Sequence, residues 1–140
     1  MIAGVADTHT ALWYLLKHPR LSAVARNFID EAASLGHDIM VSPISLSELV
    51  YLVEKGRPDA SAYRDLKAAL VDPQYLITEA PFTAEVIEAM WLVSRTEIPD
   101  LPDRVIAATG VFGRQMSAPS GSQHPDGTRF VLIPTCALLS

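Results

Sequence analysis

The amino-acid sequence predicts an α/β protein in which a mainly parallel sheet carries helices on its faces. Short apolar runs of strand length alternate with longer segments whose apolar residues recur at helical spacing. Their order is strand, helices, strand, helices, strand, helices, which is typical of parallel strands joined by helical crossovers. The chain has 140 residues, of which 49% are hydrophobic and 19% charged. This length and composition predict one folded domain over residues 1–140.

The first part of the chain predicts two strands and two helices. The apolar run Ile2–Ala6 ends abruptly at Asp7, which indicates a buried strand followed by the start of a helix. Apolar residues at helical spacing then predict one helix that closes at Pro19 and a second that Gly36 stops. The run Ile39–Val41 is short enough for a second strand.

The middle of the chain continues the same alternation. A helical pattern ends at Gly56, and another helix follows it. Tyr75–Thr78 predicts a third strand, and Thr83 can cap a helix whose apolar stripe extends to Val93. A loop with two prolines, residues 98–102, leads into a further helix.

The composition excludes several classes of protein. No apolar run approaches the roughly 20 residues of a membrane span, and no basic segment precedes the first strand as in a signal peptide. The lone Cys136 excludes an internal disulfide and a cysteine-based zinc site within one chain, and it fits a reducing cytoplasm. The net charge of −5 is unusual for a nucleic-acid binder. Metal-bound carboxylates would account for part of it, and basic residues such as Lys17 and Arg20 can form a local track.

Dispersed acidic positions carry most of the functional signal. Asp7 ends the first strand, and Glu48 lies early in the helix after the second strand. Asp100 and Asp103 open the helix after the two-proline loop. In an α/β fold such positions can converge on one crevice beyond the strand ends. Carboxylates gathered there repel one another, and a hard cation such as Mg²⁺ or Mn²⁺ relieves the repulsion. The sequence therefore predicts a metal site and metal-assisted phosphodiester chemistry.

Two of these acids also have purely structural explanations. Asp7 is a favoured helix N-cap, which is worth about 1 kcal/mol. Ser45 and Glu48 have the spacing of a capping box, in which the glutamate reaches back to the backbone amide of the serine. Viewed alone, Glu48 is better explained by capping. Its place after the second strand, mirroring Asp7 after the first, favours a functional role.

The third acidic position allows the same two explanations. Asp100 can cap the following helix, and Asp103 would favour the positive end of that helix. Two carboxylates three residues apart lie close together on a helix, which costs energy unless a cation or Arg104 compensates. This cost favours a functional role for the pair.

The three acidic segments together resemble those of PIN-domain ribonucleases, in particular the VapC-type toxins of bacterial toxin–antitoxin pairs. The matching segments are VADTHTALW at 5–13, SPISLSELV at 42–50 and IPDLPDRVIAAT at 98–109. Each segment is weak alone, but the three in this order form a specific signature. The resemblance covers residues 1–112, and it implies a three-layer α/β/α sandwich around a mainly parallel sheet.

The resemblance also implies a function and a site. The protein would be an endoribonuclease that uses Mg²⁺ or Mn²⁺. By position, the catalytic and metal-binding carboxylates would be Asp7, Glu48 and Asp103. Asp100 would be a further metal-binding acid, and Thr8 an accessory residue that positions a ligand or a water.

Partners follow from the resemblance as well. Such toxins act on RNA, are neutralised by a protein antitoxin and usually form homodimers. The apolar helix face with Trp13, Tyr14 and Leu15 could supply a dimer interface.

The C-terminal segment, residues 113–140, departs from the family pattern. Family members continue with a short apolar strand that ends in another Asp, whereas residues 113–127 here contain no strand-like run. A late strand at residues 130–134 is predicted instead, and Asp126 precedes it. Either the site lacks its fourth carboxylate or Asp126 supplies it in another geometry.

Three functions therefore remain open from the sequence. The first is an active, metal-dependent ribonuclease toxin. The second is a catalytically weakened PIN-like domain that only binds antitoxin or RNA. The third is an unrelated α/β binding domain whose acidic residues merely cap helices.

Overall fold

The structure, a computed structural model, describes residues 2–56, 59–117 and 131–133. In chain order its elements are β1 (Ile2–Ala6), α1 (Thr8–Leu15), α2 (Ala23–Ser34), β2 (Asp38–Val41), α3 (Pro43–Glu54), α4 (Ala60–Val71), β3 (Ile77–Glu79), α5 (Ala84–Glu88), a 3₁₀ helix (Ala89–Leu92), α6 (Leu101–Ser117) and β4 (Val131–Ile133). The alternation of strands and helices follows the order that the sequence predicts.

The four strands form one sheet in the order β3-β2-β1-β4, and every pairing is parallel. Ala6 is in register with Val41 on one side and with Ile133 on the other, so the three strands end at the same level. From β1 the chain builds the sheet to one side and later returns to add β4 on the other. Such a reversal of strand order opens a crevice beyond the carboxyl ends of the strands. Asp7, the residue after β1, lies at this reversal.

Side chains on the two faces of the sheet enter different clusters of buried residues. On β2, Ile39 and Val41 belong to one cluster and Met40 to the other, as the alternation along a strand requires. The first cluster also contains buried residues of α1 to α4: Leu12, Ile29, Leu49 and Leu66. The second packs Val5 and Met40 against Ile106 of α6. Helices thus cover both faces, which confirms the predicted three-layer α/β/α arrangement.

Burial of these clusters holds the layers together. Leu49 and Leu66 are both 0% exposed. Burying a leucine side chain fully contributes about 1.5–3 kcal/mol relative to leaving it in water. Leu49 follows Glu48 directly, so the packing of α3 into the core also fixes the level at which Glu48 leaves the helix.

Several boundaries differ from the predicted ones. The helix after Thr83 ends at Glu88 and tightens into the 3₁₀ helix before Val93. The Met90 carbonyl accepts bonds from the Val93 backbone N–H and from Arg104, and the Val93 carbonyl also accepts a bond from Arg104. The third strand is Ile77–Glu79, two residues later at its start than predicted, and α6 extends to Ser117.

The predicted late strand is present as β4, Val131–Ile133, at the sheet edge beside β1. Phe130 and Pro134, which the prediction included, lie outside the described residues, as does Asp126. Within the described parts of the chain, no helix is long and apolar enough to cross a membrane.

Candidate metal centre

Asp7 connects β1 to α1 and caps the helix. Its backbone is extended, and its Oδ1 atom accepts a hydrogen bond of 2.9 Å from the backbone N–H of Thr10. The structural explanation of Asp7 is therefore correct. It does not exclude a second role, because a carboxylate has two oxygens with about four lone-pair sites.

Glu48 does not form the capping box that its spacing suggested. Helix α3 begins at Pro43, and its N-cap is Ser42, whose Oγ atom accepts a bond of 3.3 Å from the N–H of Ile44. Proline suits the first helical position because it lacks the N–H that would be left unpaired there. Ser45 is consequently inside the helix, fully buried, and its hydroxyl has no partner among the described residues.

Glu48 instead interacts with a residue from the other strand-to-helix junction. The Thr8 hydroxyl donates a bond of 2.9 Å to the Glu48 Oε1 atom, across 40 residues of sequence. Burial raises the pKa of Glu48 above its usual range, and the Thr8 bond acts in the opposite direction. The nearby charges of Asp103 and Asp100 raise this pKa further. Thr8, predicted as an accessory residue, thus holds a predicted metal ligand.

Asp100 and Asp103 form the start of α6. The Asp100 Oδ2 atom accepts a bond of 3.3 Å from the backbone N–H of Asp103, so Asp100 caps the helix as its structural explanation proposed. Desolvation raises the pKa of Asp103, as do the charges of Asp100 and Asp7. The Asp103 side chain remains exposed, so its carboxylate can be reached from solvent.

Arg104 does not use its guanidinium to compensate this acidic pair. Its Nη2 atom donates bonds of 3.2 Å to the Met90 carbonyl and 3.3 Å to the Val93 carbonyl. Its Nε atom is buried and has no hydrogen-bond partner in the described structure. Arg104 therefore anchors the 3₁₀ helix to α6, and the repulsion between the acids remains to be relieved by another cation.

The structure places all the predicted site residues at one end of the sheet, within electrostatic range of one another. The charges of Asp100 and Asp7 raise the pKa of Asp103, and the charges of Asp103 and Asp100 raise the pKa of Glu48. His9, which the sequence did not single out as a site residue, lowers the pKa of both Glu48 and Asp103. The only sequence signal for His9 was its position two residues after Asp7. A lone histidine near an acidic residue usually has no role in a site, so this signal was weak.

The acids are near one another but not drawn together around one point. Among the residues that the structure describes, no three His, Cys, Asp or Glu side chains are grouped closely enough to hold a metal ion. The donor set nevertheless fits Mg²⁺ or Mn²⁺, because carboxylate and hydroxyl oxygens are the ligands of hard cations. Mg²⁺ usually keeps several waters and binds through one or two carboxylates plus a substrate phosphate. Such a site needs no preformed cluster of three acids.

The C-terminal end of β4 is the place where a fourth acid would lie next to Asp7. The register of Ala6 with Ile133 sets this position. The sequence continues after Ile133 with Pro134 and Thr135, neither of which is acidic. Asp126 lies outside the described residues.

The chain was compared with known families and proteins. Residues 5–111 match the family model described as the PIN domain. A search of curated proteins found no match. Among solved structures, the chain is similar to one in the crystal structure of VapBC2 from Rickettsia felis bound to a DNA fragment from their promoter. The two chains are 22% identical, the match covers 81% of this chain and 83% of the other, and the TM-score is 0.58. At this identity the likeness shows a shared fold.

Proposed function

Because the chain belongs to the PIN-domain family, we propose that it is a metal-dependent endoribonuclease that acts as the toxin of a toxin–antitoxin pair. PIN domains are generally nucleases, so membership of the family supports nuclease activity for this chain. The observation that carries the finer proposal is the approach of acids from three separate segments, Asp7, Glu48 and Asp103, to one end of a parallel sheet.

Each acid would have a distinct task at the scissile phosphate. A bound Mg²⁺ or Mn²⁺ would supply positive charge to the phosphate and lower the pKa of a water. Asp7 and Asp103 would hold the cation, and Asp100 would contact it through water. Glu48 would act as the general base, because burial raises its pKa and the Thr8 bond holds one of its oxygens in place. Its Oε2 atom, the oxygen that Thr8 does not contact, would take the proton from the attacking water.

RNA cleavage by the purified full-length chain tests this proposal. Labelled single-stranded RNA is incubated with Mg²⁺, Mn²⁺ or EDTA, and wild type is compared with Asp7→Asn and Asp103→Asn. We expect metal-dependent cleavage that either substitution reduces at least a hundredfold. The matched control is Glu85→Gln, which removes a charge from the exposed surface of α5. Cleavage in EDTA, or equal loss in the control, would contradict the assignment.

The alternative function is a weakened domain that binds antitoxin or RNA without cutting. It is favoured by one observation, the absence of an acid directly after Ile133, where β4 ends beside Asp7. Metal binding by the wild type, measured by calorimetry, and RNA binding, measured by fluorescence anisotropy, together with undetectable cleavage would establish this alternative.

A protein antitoxin is the expected partner, and the comparison supports it, because the similar chain comes from a VapBC2 complex. We also propose that two copies of this chain form a homodimer in the cytoplasm. The face with Trp13, Tyr14 and Leu15 is a poor candidate for the interface, since these side chains are partly buried against the core. We propose a more exposed apolar surface as the interface in place of the face chosen from the sequence.

The exposed apolar surface lies instead around the 3₁₀ helix. Trp91 is 84% exposed and Leu92 is 66% exposed. Glu88 and Arg95 are exposed, carry opposite charges and lie before and after the 3₁₀ helix in the sequence, which suits an interface that pairs with itself about a two-fold axis. Light scattering of wild type and Trp91→Ser tests this. A dimer that Trp91→Ser converts to a monomer supports the face, and a dimer unaffected by the change places the interface elsewhere.

A further inference from the structure

Helix α1 and the turn that follows it carry a row of rings that begins next to the acidic residues. The ring centroids of His9 and Trp13 are 5.5 Å apart, with planes tilted by 54°. Trp13 then stacks on His18 at 5.6 Å and 21°. Trp13 is partly buried against the core, which fixes the middle of the row, and His9 is exposed. The row therefore presents a fixed series of ring edges and one open ring along the helix.

Basic residues follow at the far end of this row. The backbone N–H of Arg20 donates a bond of 3.1 Å to the His18 Nδ1 atom, which places Arg20 directly beside the last ring. Arg26 donates from Nη2 to the His18 carbonyl at 3.1 Å. The side chains of Arg20 and Lys17 are exposed. A local positive region thus closes the row, although the whole chain has a net charge of −5.

His9, at the near end of the row, lies close to the acidic residues. His9 is close enough to Glu48 and Asp103 to affect both carboxylates. The ring centroids of His9, Trp13 and His18 follow one another at 5.5 Å and 5.6 Å, a spacing that a strand rising about 3.4 Å per nucleotide can follow. Rings that only packed the core would not need an exposed member at this end.

We propose that the outer surface of α1 and of the turn that follows it, from His9 to Arg20, is a track that binds one strand of single-stranded RNA next to the acidic residues. This inference rests on the proposed function and names how its substrate is held. A base stacks on the open face of His9, the strand passes over the edge of Trp13, and phosphates meet Arg20 and Lys17. Rings combined with a basic groove are how proteins hold single strands without reading sequence. The acidic surface elsewhere would repel the phosphates and confine them to this face.

Binding measured without cleavage tests the track. The anisotropy of a labelled single-stranded RNA is followed in EDTA at several salt concentrations, with the full-length protein. We expect His9→Ala to weaken binding about tenfold, because stacking is worth about 1–3 kcal/mol per base. We expect Arg20→Gln to lower the slope of log K against log salt by about 0.7, the value for one lost phosphate contact on a single strand. The matched control is Arg64→Gln, an exposed arginine on α4.

Trp13 supplies a second readout. In a Trp91→Phe background, Trp13 is the remaining tryptophan of the two in the chain, and RNA should change its fluorescence. Equal effects of Arg20→Gln and Arg64→Gln, or no fluorescence change on saturation, would overturn the track. Cleavage by wild type with unaltered binding by His9→Ala and Arg20→Gln would reject the track but keep the nuclease. Binding along the track without metal-dependent cleavage would reject the nuclease but keep the track.

Discussion

Replacing Thr8 by valine isolates the contact that joins the two halves of the candidate site. Valine keeps the shape of threonine at a side chain that is only 3% exposed, so the change removes the 2.9 Å bond to Glu48 without opening a cavity. Hydrogen bonds to charged groups contribute about 1.5–3 kcal/mol, against about 0.5–1.5 kcal/mol between neutral groups. We therefore expect Thr8→Val to lower the free energy of unfolding by about 1.5–3 kcal/mol at pH 7.

The loss should depend on pH in a defined direction. The folded pKa of Glu48 is raised by burial, so its ionisation weakens the fold as pH rises through that pKa. The Thr8 bond opposes this by favouring the ionised form. Without the bond the pKa of Glu48 rises further, so the mutant loses more stability at pH 7 than in acid. Below the ordinary pKa of glutamate, Glu48 is protonated in the folded and the unfolded state, so Thr8→Val removes only a bond between two neutral groups.

Urea denaturation of both proteins at pH 7 and pH 4 measures this difference. The matched control is Thr109→Val, a fully buried threonine whose hydroxyl donates at 2.8 Å to the Val105 carbonyl on the same helix. That control removes a neutral bond, so its cost should be the same at both pH values. If Thr8→Val costs the same at both pH values as well, the bond does not stabilise the Glu48 carboxylate and the reasoning is refuted.

The remaining predictions concern the acids and the helix ends. Glu48→Gln and Asp103→Asn should each stabilise the metal-free protein at pH 7, because the pKa of each acid is raised in the folded state. For Asp103→Asn the gain should be about 0.2–0.5 kcal/mol, since the change removes repulsion from Asp100. Both gains should disappear in acid, where the acids are protonated, and thermal melts in EDTA can measure this. Ser42→Ala should lower the free energy of unfolding by about 1 kcal/mol in urea denaturation, because it removes the N-cap of α3. Ser45→Ala should not lower it, because the buried Ser45 hydroxyl has no described partner. A larger loss for Ser45→Ala than for Ser42→Ala would support the capping box after all. Arg104→Met should destabilise the protein by about 3–6 kcal/mol, because it removes two bonds from a charged guanidinium to carbonyls. Hydrogen exchange should show the opening confined to the 3₁₀ helix and α6, and global opening would contradict the anchoring role.

The sequence was sufficient for the fold because hydrophobic periodicity reports which faces are buried. The run at Ile39–Val41 and the helical stripes indicated a sheet covered on both faces, and the order of elements indicated parallel strands. Periodicity does not report backbone tightening. The helix after Thr83 kept its apolar stripe to Val93 but became a 3₁₀ helix, and the carbonyls of Met90 and Val93 bond to Arg104, which lies 14 and 11 residues away.

The sequence predicted that the acidic residues lie at one end of the sheet, but it did not predict their contacts. The capping-box prediction for Glu48 was wrong although the sequence contained the competing signal, since Ser42 followed by Pro43 is itself a strong helix start. The bond from Thr8 to Glu48 spans 40 residues and depends on how two junctions meet across adjacent strands. No local pattern encodes such a meeting. For the same reason the proximity of His9 to Glu48 required the structure.

Capping and metal binding are compatible uses of one carboxylate, and this decides which substitutions are informative. Asp7 and Asp100 each cap a helix, where the positive end of the helix dipole favours a carboxylate and the bond to the backbone N–H orients it. Asparagine also caps helices well, whereas alanine costs about 1 kcal/mol. Asp7→Asn therefore removes the charge while keeping the cap, and Asp7→Ala removes both. If the acids only capped helices, Asp7→Asn would behave like wild type in every assay. A loss of metal binding with unchanged stability in Asp7→Asn would separate function from folding at this residue.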